Sequence, residues 1–332
     1  MVSPLHPAVF RHLQTVQRST NVGVFGFFRR QVAPSRSERS VYRWQRSLGD
    51  ALLVVPSIAV EHLGLSHLHV FVHGPGSEWL RLPYAIEAAW VTPDLSKEVL
   101  YLRCLIPTAH ETRVIASLKE LACQSYHAVT SGSGWQQFLL SDDEPLELPI
   151  PDKPAANDLL VRCPFVVPAM MESWQYPNSL PILWERIHQR LGTTLRSFLP
   201  RTRIHYVNGK GHVNAAFQSL RHEGLIRQHV IRYHPLLAAS IEVFVLLNID
   251  RGRLAVFLQE LRSCLHAVES YPTSDGYFCR LLGPHKLLDA IITRSPIPAS
   301  RVFFHTKRYP TPLVRFSYEK VFDPVTGSWR VA

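Results

Sequence analysis

Val41-Tyr-Arg-Trp-Gln-Arg-Ser-Leu48, followed after roughly twenty residues by Leu68-His-Val-Phe-Val72, has a second version about 170 residues later. Val213-Asn-Ala-Ala-Phe-Gln-Ser-Leu220 leads at nearly the same distance into Ile241-Glu-Val-Phe-Val245. Each half thus reads as a helix, a connector and an apolar strand. The parallel continues downstream: Ala85-Ile-Glu87 answers Ala267-Val-Glu269, Thr92-Pro-Asp94 answers Thr273-Ser-Asp275, and a Tyr-led apolar run follows in both halves, 101–106 and 277–282. A repeat of this length implies a duplicated two-part module.

The 332 residues, 46% of them hydrophobic, suffice for several small cores. The five cysteines have no C-x-x-C spacing, so neither a disulfide framework nor a zinc site is expected, and a reducing cytoplasm fits. With no apolar run near ~18 residues, no membrane span is expected. The net charge of +10 is uneven: residues 1–50 hold eight arginines against Glu38 and Asp50, and residues 179–233 hold nine Arg and Lys against Glu185 and Glu223. Concentrated twice ahead of a strand-rich module, this charge predicts contact with a polyanion.

Both basic segments read as winged helix-turn-helix units. In the first, a helix running to about Leu48 places Val41, Trp44 and Leu48 on one side and Arg36, Arg39, Arg43 and Arg46 on the other. In the second, Leu180, Leu183, Trp184, Ile187 and Leu191 give a helical period, and Arg201, Arg203 and Lys210 precede a third helix with Asn214, Gln218 and Arg221 outward. Asn and Gln suit adenine and Arg suits guanine, so this face is expected to read bases. Residues 52–58 and 225–233 are taken as hairpin wings, with Arg227 and Arg232 on the DNA backbone.

Between and after them the order is strand (67–73), short helix (77–82), strand (86–92), strand (99–106), helix (111–122) and strand (125–130). The second copy reads strand (240–247), helix (251–265), strands (267–273 and 277–282), helix (285–293) and strand (301–306). This βαββαβ order predicts an α+β chain with two ferredoxin-like domains alternating with the two winged helices. The boundaries expected are 1–62, 63–140, 179–235 and 236–332, with 141–178 as a Pro-rich acidic linker that forms no packed element. Each sheet has one face left for a partner, and isologous pairing between chains predicts a homodimer.

A winged helix joined through Val55-Pro-Ser-Ile-Ala-Val-Glu-His-Leu-Gly-Leu65 to a βαββαβ module resembles the Lrp/AsnC family of feast/famine regulators. The resemblance implies DNA-binding winged helices and RAM-like domains that assemble and bind a small effector such as an amino acid. Thr273-Ser-Asp-Gly-Tyr277 comes nearest to the family's effector loop, which marks Thr273, Asp275 and Tyr277. The function expected is a sequence-specific transcriptional regulator on double-stranded DNA, cytoplasmic and nucleoid-associated, and not an enzyme. No nucleophile elbow, H-E-x-x-H, P-loop or G-x-G-x-x-G is present, and no cofactor or metal is expected. His67, His69 and His73, alternating on one strand, are read as a solvated face. Two alternatives stand beside the regulator. One is a chromatin-like architectural protein. The other is an enzyme like the siroheme decarboxylases, which resemble the same regulators, although their Tyr-Arg-Arg-type motif has no counterpart at Ile86–Thr92.

Overall fold

The computed structural model describes residues 37, 39, 52–74, 77–92, 99–121, 126–139, 146–148, 226–233, 241–294, 302–305, 316–323 and 325–332. The chain divides into two compact units, each assembled from both halves. Unit 1 comprises residues 1–63, 156–234 and 323–328; unit 2 comprises 64–155, 235–322 and 329–332. The fold class is α+β, dominated by one large antiparallel sheet.

In unit 1, strand β1 (Leu52–Ile58) pairs antiparallel with β7 (Ile226–Tyr233), from Leu52 opposite Tyr233 to Ile58 opposite Ile226, with a shift after Ser57. The two expected hairpin wings are therefore corrected. Each segment is a single uninterrupted strand, and its backbone donors and acceptors are taken by the equivalent strand of the other half rather than by a turn back on itself.

Unit 2 holds both βαββαβ modules. The first consists of β2 (Leu65–His73), a 3-10 turn (Ser77–Arg81), β3 (Ala85–Val91), β4 (Val99–Pro107), α1 (Glu111–Leu121) and β5 (Tyr126–Ser131), extended by β6 (Trp135–Phe138). The second consists of β8 (Ile241–Leu247), α2 (Arg251–Glu260), β9 (Ala267–Thr273), β10 (Gly276–Gly283), α3 (Lys286–Arg294) and β11 (Val302–His305). Helix α2 starts where Asp250 accepts a 2.9 Å hydrogen bond from the Arg253 amide. It stops short of the expected Leu265 and tightens into a 3-10 turn at Arg262–Cys264.

The modules share one sheet of order β11-β8-β10-β9-β5-β2-β4-β3, with β6 also pairing β9. Ser131 lies opposite Thr273, and Trp135 to Phe138 lie opposite Ser270 to Ala267. At the two ends of the path Thr92 and Phe304 exchange backbone hydrogen bonds of 2.9 and 3.0 Å, so the sheet closes on itself. A turn through Gly134 makes the crossing possible, because a Cβ there would stand 2.3 Å from the Tyr271 ring.

Strand alternation then sorts the residues. Val243, Val245, Cys279 and Leu281 face the helices and bury with Leu254, Leu258, Leu287 and Ile291. Phe71, Ala89, Tyr101, Phe244, Phe278 and Phe303 face inward and form an aromatic layer. The inner face expected to meet a second chain is covered here by the other module of the same chain.

The linker also differs from expectation. Leu146 and Leu148 pack against the second module's core, Gln137 accepts the Glu147 amide at 2.8 Å, and Arg251 donates to the Leu148 carbonyl at 3.3 Å. Its leucines find apolar cover there. The C-terminus is held to the first module, the Ala332 amide donating to the Tyr84 hydroxyl at 2.6 Å. Among the described residues, no helix is long and apolar enough to cross a membrane.

Candidate functional site

Beside the aromatic layer, the inward positions of five strands carry charge. Glu87 on β3 faces Arg103 on β4, and Glu269 on β9 faces Arg280 on β10. Arg280 holds Glu87 with two hydrogen bonds of 2.7 and 2.9 Å and Glu242 at 2.6 Å. Arg103 meets Glu87 at 2.8 Å, reaches Glu269 at 3.5 Å and donates to the Tyr271 hydroxyl, which in turn donates to Glu269 at 2.5 Å. All of these groups are buried. Each buried ion gives up several kcal/mol of hydration, which only the paired partners offset. The guanidiniums do stay charged: burial pulls Arg103 and Arg280 down, but the surrounding Glu and Tyr groups outweigh it and raise both above the usual arginine value.

His69 has no exposure at all, and His67 is buried beside it, with ring centroids 6.0 Å apart. The reading of 67, 69 and 73 as a solvated face is corrected for these two, since alternation turns both into the closed sheet. Ser131 donates to the Gly132 carbonyl, so its oxygen accepts from His69 Nε2 at 3.1 Å; Nδ1, left without its hydrogen, accepts from the Tyr101 hydroxyl at 3.0 Å. Burial, then His67, Arg103 and Arg280, hold His69 well below its usual pKa, and it is neutral. Burial raises Tyr101 and Tyr271. The cluster contains acids, bases and hydroxyls, but they are turned on one another. Its three carboxylates and two guanidiniums are paired with one another inside unit 2. Nothing in the sequence singled it out, because a glutamate or arginine between apolar neighbours on a strand reads as an outward residue.

The sequence-derived DNA set falls mostly elsewhere. Arg39 is helical and exposed, and Arg227 sits in β7 where the ladder shifts register. Arg36, Arg43, Arg46, Arg201, Arg203, Lys210, Asn214, Gln218 and Arg221 lie outside the described residues. The effector set does not converge. Asp275 is exposed on the β9–β10 turn, Tyr277 is buried in the helix-side core, and Thr273 alternates to the opposite face of the sheet. Gly276, at φ +148° and against the Leu247 carbonyl, keeps that turn tight.

Charge divides between the units. Unit 1 contains 18 of the 36 Lys and Arg but 8 of the 26 Asp and Glu; unit 2 contains 18 of each and is neutral. The whole excess of ten positive charges belongs to unit 1, whose ranges include both basic segments. Among the described residues, no group of three or more His, Cys, Asp or Glu is arranged to hold a metal ion.

No family profile matches the chain, and no curated protein matches it. Among solved structures, that of the siroheme decarboxylase NirDL in co-complex with an iron-uroporphyrin III analogue is similar to it, at 12% identity and a TM-score of 0.44 over 94% of this chain and 95% of that one. The structure found is that of an enzyme, which runs against the expectation above that this chain is not one.

Proposed function

We propose that this chain is an enzyme of the siroheme decarboxylase kind, taking a carboxylate-rich anionic substrate at unit 1. One observation carries the reading: the entire positive excess lies in unit 1, while unit 2 is neutral and its interior charges are committed to one another. A polycarboxylate needs several cations gathered in one place. The ladder between β1 and β7 supports that by joining the strands that follow the two basic segments. The same ladder weighs against a winged-helix reader of DNA, since the segments that would act as wings on the phosphate backbone are engaged with each other. In the reaction, the bond between a substrate carboxylate carbon and its side-chain carbon breaks. Carbon dioxide leaves, and the carbon that keeps the electron pair takes up a proton. Unit 1 cations hold the carboxylates that do not react.

The test is an absorbance titration of the full chain with iron-uroporphyrin III, followed by mass analysis of the porphyrin after incubation. Saturable spectral change together with loss of carbon dioxide is the expected result. Tight, sequence-selective binding of duplex DNA with no porphyrin response would overturn the proposal.

A further inference from the structure

The inner faces of the two modules share one glutamate–arginine frame and differ at most positions around it. Glu87 and Arg103 in the first correspond to Glu269 and Arg280 in the second, because each pair faces across the same two strands. Counting along the ladders from these anchors, His69 corresponds to Phe244, since both lie opposite the arginine, which is two residues out of step with the sequence repeat that matches Phe71 to Phe244. Two positions earlier on the same strands, His67 corresponds to Glu242. On the glutamate strands, Ala89, opposite Tyr101, corresponds to Tyr271, opposite Phe278.

These exchanges are complementary. Where the second module carries the large Tyr271, the first carries Ala89. Tyr271 reaches across the modules to donate and accept in the Arg103 and Glu269 cluster, and it lies edge-on to His69 at 4.7 Å. The arginines also cross over: Arg280 grips Glu87 of the first module bidentately, and Arg103 reaches Glu269 of the second. Bidentate guanidinium–carboxylate contacts fix geometry as well as charge.

We infer that each inner face is specific for the other, so that the two modules of one chain pair together and like modules of two chains do not. Two second modules face to face would bury four carboxylates, Glu242 and Glu269 twice over, against two copies of Arg280, where the native pairing buries three carboxylates against two guanidiniums. Two first modules would lack Tyr271, both the hydroxyl that Arg103 donates to and the ring set edge-on to His69. Buried unpaired charge and lost packing are the repulsive elements that make a pairing selective. The divergence of the copies therefore disfavours a homodimer through these faces. A second copy of the chain finds this surface already occupied.

The test uses the full chain with cysteines at the seam. Thr92 and Phe304 form a hydrogen-bonded antiparallel pair, whose Cα spacing of about 5.5 Å suits a disulfide. Oxidised at micromolar concentration, the Thr92→Cys, Phe304→Cys double variant is expected to cross-link within one chain and run at 37.8 kDa on a non-reducing gel, at every concentration. Cross-linked species of twice that mass would overturn the inference, as would dimers formed by Thr92→Cys alone. A second measurement addresses the complementarity. Tyr271→Phe and Arg103→Gln should each lower Tm, and because the two side chains meet across the modules, the double variant should lose clearly less than the two losses added together. A double variant as unstable as the two losses added together would sink that part of the argument.

Discussion

His69 sits wholly inside the closed sheet as a neutral imidazole, accepting at Nδ1 from Tyr101 and donating at Nε2 to Ser131. Its folded pKa is depressed, chiefly by burial and then by His67 and the two arginines. The unfolded chain therefore binds a proton near pH 6.5 that the folded chain refuses. The consequence has a definite sign: this residue's contribution is intact above about pH 6.5 and is lost as pH falls below it, at up to ~1.4 kcal/mol per pH unit. His69→Gln keeps hydrogen-bonding groups but has no proton to gain in this range. Thermal melts between pH 7.5 and 5.5 should show wild type losing Tm faster than the variant, and parallel slopes would exclude His69 as the cause. This burial was not legible beforehand, because alternating histidines on a strand look the same whether the face they share meets water or a second module.

At the scale of elements, the local code was legible. The segment 267–273 is a strand as expected, and most other strands of unit 2 fall within a residue or two of their expected ends. Helix α2 starts where a side-chain acceptor precedes an amphipathic run, Asp250 capping the Arg253 amide. Asp250→Ala should cost ~1 kcal/mol in denaturant unfolding, while Asp250→Asn should cost far less. Equal losses for the two would mean that the carboxylate matters through charge and not as a cap. Non-local pairing was what local pattern did not contain. Residues 52–58 and 226–233 each alternate well enough to fold back as a hairpin, and only the duplication places a better partner strand in the other half. Likewise β6 follows a glycine turn that reads as a loop end, yet it adds four residues to the edge of β9. The linker's leucines look like linker residues until the second module's core is there to take them.

At the scale of the molecule, the segregation of charge was visible in the sequence as two basic runs, but not that both belong to one unit while the other is neutral. The proposed anionic substrate should feel that difference. Replacing Arg36, Arg39, Arg43 and Arg46 with Gln should weaken iron-uroporphyrin binding roughly tenfold or more and reduce its salt dependence, since four positive charges are removed from a screened attraction. Replacing the exposed unit 2 residues Arg251 and Arg253 should leave both unchanged. Similar losses from the two sets would detach the binding from unit 1. The closed sheet also bears on how the chain is made. Strands β2 to β5 leave the ribosome with Phe71, Tyr101, Glu87 and Arg103 on a face that nothing yet covers, and β11, which seals the ring against Thr92, ends at His305. At 5–20 residues per second, the stretch between Ser131 and Val302 takes ~10–30 s to synthesise. For that interval the nascent first module is a half-built ring exposing aromatic and charged side chains together, and a holding chaperone or slow passage through the intervening codons would decide how much of the protein reaches its native state.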